Sequence, residues 1–138
     1  MSDISDDAKR NREAWTEANA EYTDAKAEET WAKDAITWGV WGVPEEGLGT
    51  LGPVEGLDVI ELGCGTAYVS AWLARRGARC VDIDLSAGQL ATARRLQLEH
   101  GLEFPLHEGS AEHLPFPDES LDLAISEYGA CLWADPCL

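Results

Sequence analysis

Four short hydrophobic runs occur in the second half of the chain, at residues 57–62, 79–83, 104–107 and 121–126, and we expect each to be a strand. Helical spacing of apolar residues fills the first two gaps between them. One predicted helix begins near Thr66 and ends near Gly77. The other has Ser86 as N-cap, with Gln89 completing a capping box, and ends before Gly101. This alternation predicts an α/β fold with parallel strands and right-handed crossovers.

The N-terminal part of the chain follows a different pattern. Residues 8–36 predict helix in two pieces, with Trp15, Ala18, Tyr22 and Ala25 along one stripe. The stripe is typical of an amphipathic helix that lies across a core. It is also compatible with a lid whose aromatic side chains close over a ligand. Residues 43–56 are rich in glycine and proline, so we expect a loop there.

Charge and composition exclude several classes of partner. The 138-residue chain has a formal net charge of -16, which disfavours nucleic acid and anionic membranes as partners. No apolar run approaches the roughly 20 residues that span a bilayer, and the polar N-terminus does not resemble a secretory signal. The four cysteines (Cys64, Cys80, Cys131 and Cys137) lack metal-binding spacing, so we expect reduced thiols, a cytoplasmic protein and no metal site.

The chemistry is concentrated where the first strand meets the first helix. Gly63 and Gly65 follow the strand at alternate positions, and a strand, a glycine turn and a helix form the phosphate- or nucleoside-binding corner of α/β folds. Asp84 ends the next strand about 20 residues later, where a carboxylate can accept hydrogen bonds from ribose hydroxyls. Asp82 is nearby, but we expect it on the opposite face. The pattern therefore predicts a nucleoside site.

Two residues distinguish between the possible nucleosides. A dinucleotide favours a small residue where this chain has Tyr68, and Glu61 precedes the glycines at a point where a pyrophosphate would be repelled. A ligand with an ammonium or sulfonium group would be attracted, as S-adenosylmethionine would be. A nicotinamide-dependent oxidoreductase is the less favoured alternative.

At these residues the sequence resembles the class I S-adenosylmethionine-dependent methyltransferases. The resemblance rests on VIELGCGTAYVSAWLARRGARCVDIDLSAGQLATARR and EGSAEHLPFPDESLDLAISEYGA, within residues 57 to 135. It implies a Rossmann-like methyltransferase sheet (residues 57–138) after a helical leader and loop (residues 1–56). It also implies S-adenosyl-L-methionine as cofactor. By this resemblance the cofactor-binding residues are Glu61, Gly63, Cys64, Gly65, Asp84, Leu85, Ser110, Ala111 and Ser126, with Glu127 as an alternative to Ser126 beside the transferred methyl.

Two positions depart from the family pattern. Ala67 stands where the first motif commonly has a third glycine, a small change that we expect to be tolerated. Ser110 stands where an acid often accepts a hydrogen bond from the adenine, and a hydroxyl would bind more weakly because it carries no charge.

The resemblance also implies the sheet order 3-2-1-4 and further strands that this sequence lacks. We therefore interpret the chain as a fragment truncated after the fourth strand, with an apolar edge that could support self-association. The implied activity is methyl transfer to a small-molecule acceptor, with no obligatory catalytic side chain; His107 and His113 are expected to be structural or solvated. A non-catalytic cofactor-binding module is the alternative. Acceptor contacts are expected from the leader and from residues 127–133.

Overall fold

The computed structural model describes residues 4–117 and 120–127, and begins with a broken helix. Helix α1 (Asp6–Ala18) continues through a π-helical turn (Asn19–Thr23) into α2 (Asp24–Ala32). Strand β1 (Thr37–Trp38) then pairs antiparallel with β2 (Val43–Pro44), and one turn of helix follows as α3 (Glu45–Leu48). The prediction of a loop throughout residues 43–56 is therefore wrong for β2 and α3.

A parallel sheet forms the rest of the described chain. Its elements are β3 (Asp58–Leu62), α4 (Tyr68–Ala74), β4 (Arg79–Asp84), α5 (Ala87–His100), β5 (Leu106–Glu108) and β6 (Leu123–Ile125). The strand order is β5-β4-β3-β6 and all three pairings are parallel, which confirms the predicted α/β class and strand order. Helix α4 and strands β5 and β6 are shorter than predicted. Helix α4 begins late because Ala67, before it, has a left-handed backbone.

Helix α5 begins and ends where the sequence predicts, but Gln89 does not complete the predicted capping box, because the Ser86 amide donates to Asp84 instead. The Ser86 hydroxyl accepts a hydrogen bond from the Gln89 amide at 3.3 Å, and Gly101 takes the left-handed conformation after the last turn. The Asp84 carboxylate also accepts from the Ser86 amide at 2.8 Å. The helix start is therefore held to the end of β4, at the edge of the sheet where the glycine corner lies.

The leader shares a hydrophobic core with the sheet. Trp31 and Trp72 are fully buried, and each donates its indole N–H across the contact: Trp31 to the Thr66 carbonyl at 2.8 Å, and Trp72 to the Thr30 carbonyl at 2.9 Å. Phe104 stacks on Trp31 with ring centroids 6.2 Å apart. One indole N–H is donated from α2 and the other from α4, and this pair of hydrogen bonds holds the two helices together. The division of the chain after residue 56 stays a prediction.

The π-helical turn changes which side chains of the leader are buried. Ala27 and Trp31 are the buried residues of α2, whereas Ala25 is exposed and Tyr22 is 46% exposed. A π-helical turn accommodates one extra residue, so the apolar stripe that begins at Trp15 does not continue in phase. The predicted stripe through Ala25 is therefore wrong after the turn, although an amphipathic leader against the core is what the structure shows.

The remaining predictions about the chain's surface have mixed outcomes. No helix in the described ranges is both long and apolar enough to cross a bilayer. Strand β6 pairs with β3 on one side, and within the described residues no strand pairs with its other side. Self-association through that edge stays a prediction. Cys131, Cys137 and the predicted loop after Glu127 lie outside the described residues.

Candidate cofactor site

A cavity of about 510 Å³ opens at the carboxyl end of the sheet, between the glycine corner and the leader. Its size falls within the roughly 300–1,000 Å³ of small-molecule sites. Parallel sheets bind ligands at this end, where loops from neighbouring strands meet. Seven of the nine predicted cofactor-binding residues line the cavity: Gly63, Cys64, Gly65, Asp84, Leu85, Ser110 and Ala111. Glu61 and Ser126 do not.

The glycine corner turns through left-handed backbone conformations. Gly63 and Gly65 have φ angles of 65° and 57°, and Ala67 follows at 64°. Side chains rarely adopt such angles, which explains glycine at the first two positions. The Cys64 amide donates to the Ile83 carbonyl at 3.1 Å, so the corner is tied to β4. Cys64 is buried, and burial raises the pKa of its thiol well above the usual value, so this cysteine is not a nucleophile.

Asp84 organises the floor of the cavity. One carboxylate oxygen accepts from the Gly65 amide at 2.8 Å and the other from the Ser86 amide at 2.8 Å. Burial raises the pKa of Asp84, and these backbone donors oppose the rise. A carboxylate has about four acceptor positions, so each oxygen can accept another hydrogen bond from a ligand. Asp84 thus fixes the glycine corner and faces the cavity at once.

The far wall of the cavity comes from the loop after β5. Ser110 is buried, and its hydroxyl accepts from the Glu112 amide at 3.1 Å, which closes a turn. Ala111 and Leu85 add apolar surface next to it. An apolar slot that ends in a hydroxyl suits a flat heterocycle. His107 packs edge-on against Phe116 and His113 is exposed; neither lines the cavity.

Glu61 does not face the cavity as predicted; it lies beneath α4. Its carboxylate accepts from the Ser70 amide at 3.2 Å, and the side chain is 4% exposed. The argument that its charge repels a pyrophosphate therefore fails. Asp82 joins the same buried cluster. The expectation that Asp82 faces away from Asp84 is also wrong, because residues two apart on a strand share a face and Asp82 lies deeper.

The buried cluster must hold a proton. The Ser70 hydroxyl lies 3.0 Å from Glu61 and 2.6 Å from Asp82, yet a hydroxyl donates only one hydrogen. A protonated carboxyl therefore makes the other contact. Burial raises the pKa of Asp82 to about 8 and that of Glu61 well above its usual value, and the Asp82 charge adds to the rise in the pKa of Glu61. At neutral pH the pair supports the glycine corner while carrying less than its formal charge.

Ser126 was the preferred cofactor contact after the fourth strand and Glu127 the alternative, but the structure places Glu127, and not Ser126, in the cavity wall. The Ser126 hydroxyl donates to the Leu62 carbonyl at 3.1 Å, which ties the end of β6 to β3. Glu127, weighed only as an alternative, lines the cavity instead. Its Oε1 accepts from the Gly39 amide at 3.0 Å, and the carboxylate also accepts from the Tyr68 side chain. Burial raises the pKa of Glu127.

Side chains of the leader form the roof, which sequence reasoning predicted only in part. Trp15 and Tyr22 line the cavity, as the lid interpretation of their stripe required. Lys26 and Lys33 line it too, and neither was singled out. A signal was available for Lys33: it lies two residues after Trp31, where the leader approaches the sheet.

Comparison with known proteins places these features in one family. Residues 60–137 match the family described as "Methyltransferase domain". The chain belongs to this methyltransferase family. The ubiquinone biosynthesis O-methyltransferase of Azorhizobium caulinodans is 32% identical over 77 residues, which cover 56% of this chain and 30% of that protein. The chain thus matches less than a third of that relative's length.

Solved structures show the same fold. An S-adenosylmethionine-dependent methyltransferase from Mesorhizobium loti is 32% identical, with a TM-score of 0.50 over 57% of this chain and 36% of that one. The phosphoethanolamine N-methyltransferase 1 of Haemonchus contortus has a TM-score of 0.64 and 17% identity over 87% of this chain and 25% of that one. This coverage exceeds what residues 57–138 can account for, so the likeness of fold extends into the leader.

Proposed function

We propose that this chain is the cofactor-binding part of an S-adenosylmethionine-dependent methyltransferase that acts on a small-molecule acceptor. The observation that carries the proposal is Asp84, which faces a cavity of about 510 Å³ while accepting hydrogen bonds from both Gly65 and Ser86. Membership of the methyltransferase family supports it. The A. caulinodans relative, named for ubiquinone biosynthesis, supports a small-molecule acceptor.

The residues around the cavity fit that cofactor. Asp84 offers acceptors to ribose hydroxyls at the end of β4. Leu85 and Ala111 offer apolar surface to an adenine, next to the Ser110 hydroxyl. The backbone of Gly63 and Gly65 permits close approach. The carboxylates that line the cavity favour a cationic ligand over a pyrophosphate, which is the effect that the sequence analysis attributed to Glu61.

The chain contributes chiefly by holding and shielding the reactants. When bound, the cofactor supplies the electrophilic methyl group, so positioning and exclusion of water remain for the protein. Trp15 and Tyr22 cover the cavity from the leader side, which limits access of solvent. We also propose a cytoplasmic location, because Cys64 and Cys80 are free thiols.

Calorimetric titration of the 138-residue chain with S-adenosylhomocysteine tests the proposal. We expect saturable binding that Asp84→Asn weakens about 10-fold or more, since a hydrogen bond to a charged group contributes roughly 1.5–3 kcal/mol. Asp58→Asn is the matched control, because Asp58 pairs with Arg79 at the opposite end of the sheet and should leave affinity unchanged. Binding of nicotinamide adenine dinucleotide in place of S-adenosylhomocysteine would overturn the proposal in favour of an oxidoreductase.

A further inference from the structure

We infer that the buried Glu61–Asp82 pair lets the site distinguish positively charged S-adenosylmethionine from its neutral product, S-adenosylhomocysteine. The two ligands differ by one methyl group and one positive charge on sulfur. This role rests on the proposed function, and it is exerted through the electric field and not by contact with the ligand. A cation bound at the glycine corner makes the pair give up a proton, so the affinity for that cation depends on pH.

The pair lies directly beneath the floor of the cavity. Glu61 and Asp82 are register partners on β3 and β4, and the two residues are 4% and 0% exposed. Asp82 lies two residues before Asp84 on the same strand, a distance of roughly 7 Å. Asp84 lines the cavity, and so does Cys64, whose side chain lies within hydrogen-bonding reach of Asp82. The pair is therefore close to a bound ligand without lining the cavity itself.

The two carboxyl groups have too few donors around them to be ionised together. Ser70 Oγ lies 3.0 Å from Glu61 Oε1 and 2.6 Å from Asp82 Oδ1, and a hydroxyl donates one hydrogen. The Ser70 amide adds a donor to Glu61 at 3.2 Å. Within the described residues neither carboxyl group takes part in a salt bridge. The pair therefore lacks a neighbouring cation, and a proton supplies the missing positive charge when no ligand is bound.

The other groups that face the pair are acids and thiols. Burial raises the pKa of both carboxyl groups, and the charges of Asp84 on β4 and of Glu127 after β6 add to the rise. Burial also raises the pKa of the Cys64 thiol well above its usual value and that of Cys80 to about 12, so both thiols stay protonated near neutral pH. Near neutral pH the pair, and not the thiols, therefore changes charge.

A ligand charge at the glycine corner is close enough to displace the proton. The pair lies about two residues of strand below the corner, so a cation bound there is roughly 7–10 Å away. At an effective dielectric constant of about 20, a unit charge at that distance changes a proton affinity about 10-fold or more. A neutral thioether has no such effect. Because binding of the cation releases a proton, affinity for S-adenosylmethionine rises with pH until the pair ionises without ligand, near the pKa of about 8 of Asp82.

Titration of the 138-residue chain with both ligands between about pH 6 and 9 tests this role. The quantity to compare is the affinity for S-adenosylmethionine divided by that for S-adenosylhomocysteine. Glu61→Gln combined with Asp82→Asn keeps the shape of the pair but cannot ionise. We expect the wild-type ratio to rise about 5- to 10-fold more across the range than the ratio of this double variant. Ionisation of the ligands themselves is common to both proteins and cancels.

Asp58→Asn is the matched control, because it removes an acid at the other end of β3, where Asp58 pairs with Arg79. Its ratio should follow that of the wild type at every pH. Equal pH dependence in the wild type and the double variant would overturn the inference, since Asp84 and Glu127, which line the cavity in both proteins, would then account for it.

Infrared difference spectra of the wild-type chain decide the question if the double variant does not fold. At neutral pH, S-adenosylmethionine must remove a band of a protonated carboxyl group that S-adenosylhomocysteine leaves in place, and equal spectra for the two ligands overturn the inference. Saturable binding of both ligands keeps the proposed function in either case. A wild-type chain that binds neither ligand would overturn both.

Discussion

Trp31 donates its indole N–H to the carbonyl oxygen of Thr66 at 2.8 Å, and this bond joins the leader to the glycine corner. Thr66 lies between Gly65 and the left-handed Ala67, at a point where the backbone has left β3 and α4 has not begun. Its carbonyl therefore needs a donor from outside the corner, and a tryptophan 35 residues earlier supplies one. The leader is thus part of the support of the site.

We expect Trp31→Phe to destabilise the chain by about 1–3 kcal/mol, because the ring remains buried but the Thr66 carbonyl loses its donor. Urea unfolding measures the change. Trp41→Phe is the control, since Trp41 is 91% exposed and the same substitution there should have little effect. Equal stability of the two variants would contradict a supporting role for the Trp31 bond.

The Glu61–Asp82 pair predicts how stability varies with pH. The pKa of Asp82 is about 8 in the folded chain and near 3.8 when unfolded, so the folded state keeps a proton that the unfolded state releases. The stabilisation is complete below about pH 4 and is lost as pH rises toward 8, with a slope of at most about 1.4 kcal/mol per pH unit for one proton. Asp82→Asn cannot ionise, so we expect it to flatten this slope in unfolding measured from about pH 5 to 8.

Asp58→Asn is the control, because the contribution of Asp58 to stability depends on pH in the opposite direction. The Arg79 guanidinium lowers the pKa of Asp58, so the contribution of Asp58 is present above about pH 4 and is lost as pH falls through the lowered value. This variant should alter stability only on the acid side. An Asp82→Asn variant that keeps the wild-type slope between about pH 5 and 8 would show that Asp82 is not the group that holds the proton.

Substitutions at Ala67 test why the glycine corner tolerates a residue that has a side chain. A left-handed residue with a side chain costs about 1–2 kcal/mol. Ala67→Gly removes that cost but loses about 0.8 kcal/mol of methyl burial and about 0.5–1 kcal/mol of backbone entropy. We expect a net change within about 1 kcal/mol. Ala67→Val should destabilise by more than about 2 kcal/mol, because a branched side chain meets both the strain and a fully buried site. Thermal unfolding measures the stability of both variants. An Ala67→Gly variant destabilised as much as Ala67→Val would contradict the prediction.

The π-helical turn is held by side chains on α5. The Asn19 amide donates to the Thr92 hydroxyl at 3.0 Å, and Thr23 donates to the Gln89 side chain at 3.0 Å. We expect Asn19→Ala to cost about 1–2 kcal/mol and to speed amide exchange in residues 19–23. Glu21→Ala changes an exposed residue of the same turn and should stay within about 0.5 kcal/mol of wild type. Unchanged exchange in the Asn19 variant would mean that packing alone maintains the turn.

Much of the fold was predictable because its signals are local. The apolar runs, the N-cap at Ser86 and the glycine at position 101 each act within a few residues. The phase of the leader was not predictable, since the π-helical turn depends on Asn19 and Thr23 meeting α5 about 70 residues away. Periodicity assumes a regular helix and cannot register an inserted residue.

The site was predictable where backbone geometry dictates it. Asp84 and the glycines lie at strand ends and turns, which sequence spacing reveals. The misplaced side chains are Glu61 and Ser126, because the direction of a side chain at a strand end depends on its tertiary partners. Glu61 makes its hydrogen bonds with Ser70, and Ser126 donates to the Leu62 carbonyl. Neither partner is close in sequence.

The π-helical turn absorbs one extra residue, and this decides where the leader tolerates a change of length. Each residue of an α-helix rotates the next residue by about 100° around the helix axis. Removal of one residue from α2 before Trp31 would therefore turn the Trp31 indole away from the carbonyl that it binds and carry Lys33 around with it. Removal of one residue within Asn19–Thr23 would instead leave a regular helical turn and the same phase in α2. Exchanges of residue type on the outer side of the leader should be harmless by comparison.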